Sequence, residues 1–310
     1  MKRFFALAAA AAALCLMTAC QKDGVYKPSQ RITALYEFSS VEQQRYKSDL
    51  KIWETYHTDS VKRHIVERWV WNGKKLERID LYHDDANPNR ASNSLAFVYD
   101  GKRLERINIS GDNSHLEFEY DGRHLKEMRQ YDNKGNVELT YSFEYNGNKI
   151  NKMTLDGDYI TLKKGDPLAT FIAERLLACE KLPKTLLKNS DTKSQVTATF
   201  KWKGDNVSSA TYSNGAKYTF RYDTKSNPFR GLLAMMSLNG EAAGASYYFC
   251  NENNAVTITF VDEDGDEEKT NYSYTYSDDI PVSRSNVVVD HYAQGYRTVT
   301  SHVTTFEYDE

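Results

Sequence analysis

Cysteine is scarce in this chain, four in 310 residues. Cys15 falls inside the N-terminal apolar stretch and Cys20 at its end, so the body holds only Cys179 and Cys250. That excludes a disulfide framework. The pair is either one bridge formed outside the cytoplasm or two small buried hydrophobes. Long apolar runs are absent after residue 19, which leaves no helix to span a bilayer. Strong charge of either sign is absent too. Removing Lys2 and Arg3 from the 40 basic residues leaves 38 against 43 acidic ones, no attraction for nucleic acid.

Catalytic signatures are missing as well. No Gly-x-Ser-x-Gly elbow and no phosphate-binding glycine loop occurs. The histidines at 57, 64, 83, 115, 124, 291 and 302 show no zinc or metalloprotease spacing. His83-Asp84-Asp85 reads as a solvent-facing loop. The acidic run from Asp262 to Glu268 departs from the twelve-residue calcium loop, and a solvated hairpin tip is the simpler reading. The expectation is a protein without metal, cofactor or catalysis. A secreted hydrolase is the most remote alternative, since paired carboxylates are set by fold rather than spacing.

What is present begins with an address. Lys2 and Arg3, a short apolar run from Phe4 to Leu16, and small residues up to Cys20 form a signal peptide over residues 1–19. Leu16-Met17-Thr18-Ala19-Cys20 resembles the lipobox of bacterial lipoproteins, which implies a lipidated Cys20 and a tether over 20–30. Gln21-Lys22-Asp23-Gly24 is similar to the signal that exports some Bacteroidetes-type lipoproteins to the cell surface; a periplasmic orientation is the alternative.

The body is written in one repeated phrase: aromatic, x, aromatic, Asp or Asn, Gly, two polar residues, aliphatic. Copies start at Trp69, Phe97, Phe118, Phe143 and Phe200, with partial copies at Phe220 and Phe306. Aromatics two apart share one strand face. Asp-Gly or Asn-Gly accepts the positive φ of a tight hairpin, and the aliphatic residue starts the return strand. Self-similarity at this range predicts repeat architecture. Val137, Leu139, Tyr141, Phe143 and Tyr145 alternate with polar residues, which predicts one packed and one wet face. After each turn the apolar residues fall three apart, as in Leu104 and Ile107. A recurrent slip of one residue predicts a β-bulge beside the turn, which curls the sheet.

Other segments are read less uniformly. Ile32–Phe38, Leu50–His57 and Val61–Trp71 are predicted strands, with Val41–Ser48 polar and unassigned. Gly165-Asp166-Pro167 breaks the meander, and Leu168, Phe171, Ile172, Leu176 and Cys179 predict one amphipathic helix near 167–181. The domain expectation is one β-repeat domain over 31–310, with possible halves 31–164 and 195–310 joined by the helical segment. Exposed Tyr and Trp would stack on sugar rings, but strict alternation with charged residues predicts that the repeat aromatics form the buried face.

At Phe118-Glu119-Tyr120-Asp121-Gly122-Arg123-His124-Leu125 the chain resembles the Tyr-Asp repeats of Rhs-type secreted proteins. With its lipobox, Trp69-Val70-Trp71-Asn72-Gly73 and Phe220 through Phe229, it more closely resembles a family of Bacteroidetes lipoproteins described as a domain of unknown function with a porin-like fold. The resemblance implies a mainly β, antiparallel meander curled into a barrel-like sheet, and no established activity. The reading is an outer-membrane lipoprotein held through Cys20, on the cell-surface or periplasmic face, serving as a scaffold or binding module for an undefined protein or glycan partner. A glycan- or nutrient-binding accessory protein is the first alternative. A spanning barrel is a further one, disfavoured by the anchor and by the ending Tyr308-Asp309-Glu310, which lacks a terminal aromatic.

Overall fold

The computed structural model describes residues 26–82, 90–111, 113–157, 194–232 and 251–309. The predicted signal peptide, Cys20, His83-Asp84-Asp85, the 167–181 helix, Cys179 and Cys250 lie outside them.

Sixteen strands follow in order: β1 (Ile32–Lys47), β2 (Ile52–Asn72), β3 (Lys75–Leu81), β4 (Asn93–Asp100), β5 (Arg103–Ile109), β6 (His115–Asp121), β7 (His124–Tyr131), β8 (Val137–Asn146), β9 (Lys149–Gly157), β10 (Ser194–Lys203), β11 (Asn206–Tyr212), β12 (Lys217–Ser226), β13 (Asn253–Val261), β14 (Glu267–Ser277), β15 (Ile280–Ala293) and β16 (Tyr296–Tyr308). Each pairs antiparallel with its sequence neighbours, and β16 pairs with β1, so the sheet is a closed barrel. The closing seam runs from Ile32 opposite Tyr308 to Arg45 opposite Tyr296. Because β9 pairs directly with β10, the sheet is continuous across the point where two halves were predicted to join. Two boundaries also differ from expectation: the predicted strands Leu50–His57 and Val61–Trp71 merge into the single strand β2, which begins at Ile52 and leaves Leu50 in the preceding turn, and the unassigned Val41–Ser48 is mostly β1.

The predicted bulge recurs at the turns. Tyr99 pairs with Leu104 and Val98 with Arg106, which leaves Glu105 as the extra residue. The same shift occurs at Trp71, Tyr120, Tyr145 and Trp202. One inserted residue is what returns Leu104 and Ile107, three apart, to the same buried face. The turn glycines carry the required positive φ, +54° at Gly101 and +57° at Gly122.

Apolar side chains fill the inside. Leu76, Ile79, Ile107, Met128, Leu139 and Tyr218 are fully buried. Charged residues such as Arg78, Asp80, Glu119, Lys152 and Arg221 line the other face. This is the reverse of a lipid-spanning barrel, which turns its apolar side chains outward. Sixteen strands enclose more width than one layer of side chains fills. At one end Tyr26 enters the lumen against Trp69 and Trp71, ring centroids 5.8 and 5.7 Å away, and donates to the Pro228 carbonyl. Phe229 packs beside it against Trp69 and Phe306.

The second aromatic of each phrase has its own duty. Between successive hairpins the ladder stops short of the turn end; β5 pairs with β6 only over Arg106–Asn108. The Leu104 carbonyl lies past that point, and Tyr120 Oη donates to it at 2.9 Å. The same staple joins Tyr99 to Leu76 (2.8 Å), Tyr145 to Leu125 (2.8 Å), Trp202 to Ile150 (2.7 Å) and Tyr222 to Val207 (2.7 Å). Trp71 to Ile32 and Tyr308 to Pro281 continue it around the seam. A basic residue two positions past the turn glycine adds a latch. Lys75 donates to the Gly101 carbonyl at 2.6 Å and lies 4.9 Å over the Tyr99 ring. Arg103 does the same to Gly122 and Tyr120, and Lys149 to Gly204 and Trp202. Tyr120→Phe keeps the ring but strands the Leu104 carbonyl. It is expected to cost about 1–3 kcal/mol in urea unfolding; an unchanged midpoint would mean that water satisfies this carbonyl.

Candidate functional site: a tongue beyond the barrel rim

Strand length separates four neighbours from the rest. β2, β1, β15 and β16 run 21, 16, 14 and 13 residues, whereas β3 to β7 run seven or eight. All turn glycines of the repeated phrase lie at one end of the barrel, with Arg31 and Asp309. The excess length lies at the other end. There β2, β1, β16 and β15 continue past the rim as a four-stranded tongue, closed by the turns near Asp49 and Gln294. Among the described residues, neither Ile52–Ile65 of β2 nor Val287–Ala293 of β15 has a second ladder partner. Among the described residues, both tongue edges are therefore open.

The exposed apolar surface gathers here. Of the eleven large hydrophobic residues exposed among those described, nine are on the tongue: Phe38, Tyr46, Leu50, Ile52, Tyr56, Val61, Val287, Val289 and Tyr296. Leu50 at the tip and Val287 on β15 are 59% and 57% exposed. The outward face carries Phe38 opposite Val303 and Val289 opposite Val299. Toward the tip, Trp53 contacts Tyr46 (5.3 Å) and, edge-on, His291 (5.6 Å), with the Arg297 guanidinium 4.3 Å from its centroid. Polar groups are fixed beside it. Arg297 Nε donates to Gln44 Oε1 (2.8 Å), Gln44 Nε2 donates to Glu42 Oε2 (2.9 Å), and Thr55 Oγ1 donates to the same Glu42 oxygen (2.9 Å). At the tip, hydrogen bonds from Lys47 and then Arg45 hold the exposed Glu54 carboxyl below its usual range.

Below the tongue root the lumen turns polar. Arg284 faces Thr304, which faces Glu37 across the next strand. Arg284, Asn286, Thr304 and Glu67 are buried. Arg284 lies 4.8 Å from the Tyr272 centroid, and Glu67 accepts the Trp69 indole N–H at 2.9 Å.

The residues singled out by sequence fall elsewhere. The repeat aromatics Trp69, Phe97, Phe118, Phe143, Phe200, Phe220 and Phe306 are buried, so no sugar ring reaches them. Asp262 is a turn builder: its Oδ1 accepts the amides of Asp264 and Asp266, both at 2.9 Å. Asp132 repeats that loop with the amides of Lys134 and Asn136, and the Asn136 side chain and backbone hold its carboxyl below the usual range. Among the described residues, no three His, Cys, Asp or Glu side chains gather to hold a metal. The described histidines are dispersed, His115 stacked on Tyr131 and His124 on Tyr145. Tyr46, Trp53, Tyr56 and Tyr296 escaped notice because they lie outside the repeated phrase; the only signal was aromatic residues in segments without clean alternation.

Fold and surface together define a closed, apolar-filled meander barrel that carries an exposed β-tongue. No family model matches the chain, and no curated protein does. Among solved structures it is similar to a porin-like protein from Bacteroides uniformis ATCC 8492, with a TM-score of 0.46 and 14% identity over 90% of this chain and 99% of that one. It is also similar to a porin-like protein from Bacteroides vulgatus ATCC 8482, with a TM-score of 0.43 and 9% identity over 91% of this chain and 99% of that one.

Proposed function

We propose that this chain is an outer-membrane lipoprotein, held through Cys20, that works as a non-catalytic binding module. In this reading the barrel is a stand and the tongue is its contact surface for a protein partner. The observation that carries it is the concentration, among the described residues, of exposed apolar side chains on one sheet whose two edges are open. Monomeric surfaces rarely gather such patches without use, and aromatic-rich patches with open edges suit protein association by side-chain packing and strand addition. The apolar filling favours a stand over a conduit.

A second reading is favoured by one observation. Trp53, with Tyr46 beside it and the Arg297–Gln44–Glu42–Thr55 hydrogen bonds at its edge, presents a ring and polar groups of the kind that suit a glycan.

Both readings meet in one test. The tongue is shortened by replacing Gln43–His57 and His291–Arg297 with Asn-Gly turns. Glu42 opposite Thr58 and Asp290 opposite Thr298 keep their register. Cross-linking on intact cells is expected to lose its protein adducts in this variant, while abundance in the membrane fraction is unchanged. Adducts that persist would end the tongue reading. A sugar hit on a glycan array that Trp53→Ala abolishes would move the assignment to the second reading.

A further inference from the structure

The end of the barrel opposite the tongue has a charge pattern that the fold does not require. Each hairpin turn of the repeated phrase there places two polar residues after its glycine. The second is the latch, as in Lys75, Arg103 and Lys149. The first makes none of the repeated latch contacts, yet in three successive turns it is Lys74, Lys102 and Arg123, all exposed. Adjacent hairpins are two strand spacings apart, about 10 Å, so each of these charges lies about one screening length from the next. Asp100 and Asp121 in the same turns offset part of the charge. Even so the four turns at 72–75, 100–103, 121–124 and 146–149 hold six Lys or Arg against two Asp, in a chain whose acids outnumber its bases, 43 to 40. Across the rim the β14–β15 turn is acidic, with Asp278 and with Asp279, which binds Lys225.

The same end receives the N-terminal segment. Tyr26 is wedged into the lumen beside Trp71, one strand from the Lys74 turn. Cys20 precedes Tyr26 by six residues, at most about 20 Å of extended chain.

We propose that this basic turn rim seats the barrel on the anionic phospholipid headgroups of the bilayer that carries the anchor. Seating fixes the long axis upright, so that the tongue points away from the membrane toward its partner. The tether half of the argument rests on the lipoprotein reading; the charge half does not. The latches hold their side chains against the turns, leaving Lys74, Lys102 and Arg123 as the groups that reach headgroup phosphates.

The barrel closes on itself, so the chain from Lys22 to Glu310 is the test protein. It is expected to co-sediment with vesicles of phosphatidylglycerol mixed with phosphatidylcholine, not with phosphatidylcholine alone, and to be released by about 1 M salt. K74E/K102E/R123E is expected to weaken binding roughly 100-fold, with a melting temperature matching the parent. If it melts lower, K74Q/K102Q/R123Q takes its place. L50D/I52D at the tongue tip is expected to bind as the parent does. Three results would overturn the proposal: parent binding to neutral vesicles as well as to anionic ones, full binding by the rim variants, or loss of binding in L50D/I52D. Acyl-probe labelling of the full chain and of Cys20→Ala in cells tests the anchor separately, so its failure is distinguishable from failure of the rim.

Discussion

Trp69→Ala is expected to lower the unfolding free energy by about 3–5 kcal/mol, the range for removing a large aromatic from a packed core. Three structural facts place it toward the upper end. The indole is 3% exposed. Its ring contacts Tyr26 and Phe229, both of which enter the lumen from outside the sheet. Its N–H also supplies a hydrogen bond to the buried Glu67 carboxyl group, and a buried hydrogen bond of this kind contributes about 0.5–1.5 kcal/mol by itself. Water entering the cavity would recover part of that second cost. Against a total stability of about 5–15 kcal/mol, the change removes a large fraction. Val282→Ala on the outer face is the control, expected within about 0.5 kcal/mol of the parent. Urea titration of the three proteins decides it. A loss below about 1 kcal/mol for Trp69→Ala would mean that Tyr26 and Phe229 collapse into the space, so that this end of the lumen is not close-packed.

How far the sequence foretold this arrangement depends on where the physics is local. The hairpin phrase was legible because Asp-Gly and Asn-Gly set backbone torsions within a few residues. The bulge was legible because the slip from two to three recurs at Leu76, Leu104, Leu125 and Ile150. Barrel closure was not, since it depends on Ile32 meeting Tyr308 across the length of the domain, and no neighbour in sequence marks that pairing. The tongue was read only in part, as two strands with Val41–Ser48 unassigned, for a different reason. Alternation appears only when one face is buried. Beyond the rim both faces of β1 and β2 meet solvent, so Val41–Ser48 and the middle of β2 carry no period of two. The latch was visible in Lys75, Arg103 and Lys149 as a basic residue two past the turn glycine. Its purpose, a carbonyl in the next hairpin, needed the sheet order.

The ring of phenols that staples the hairpins should make the barrel sensitive to alkali. Burial raises the pKa of Tyr99 and of Tyr308 above the ordinary phenol value. Tyr26 is raised well above it, by burial first and by the Tyr308 charge second. Each of these hydroxyls donates to a backbone carbonyl, a bond that the phenolate cannot make. In the unfolded chain the same groups ionise near pH 10. A folded pKa above the unfolded one contributes stability that is fully present below about pH 10 and lost as pH rises toward the folded value. Each phenol held neutral then costs about 1.4 kcal/mol per pH unit, roughly 4 kcal/mol per unit for the three together. The expected result is a urea midpoint that is flat to about pH 9 and falls steeply between about pH 10 and 11. Phenolate absorbance from these tyrosines should rise with unfolding rather than before it. Tyr99→Phe with Tyr308→Phe should start from a lower midpoint, because two staples are gone, yet fall less steeply, because two ionising groups are gone with them. A parent midpoint that holds to pH 11 would contradict the staple, since it would mean that these hydroxyls are not held neutral by the fold. The acid side should be gentler: the exposed carboxyls lowered by ion pairing, Glu54 and Glu119, are screened by solvent, and such pairs carry little stability to lose.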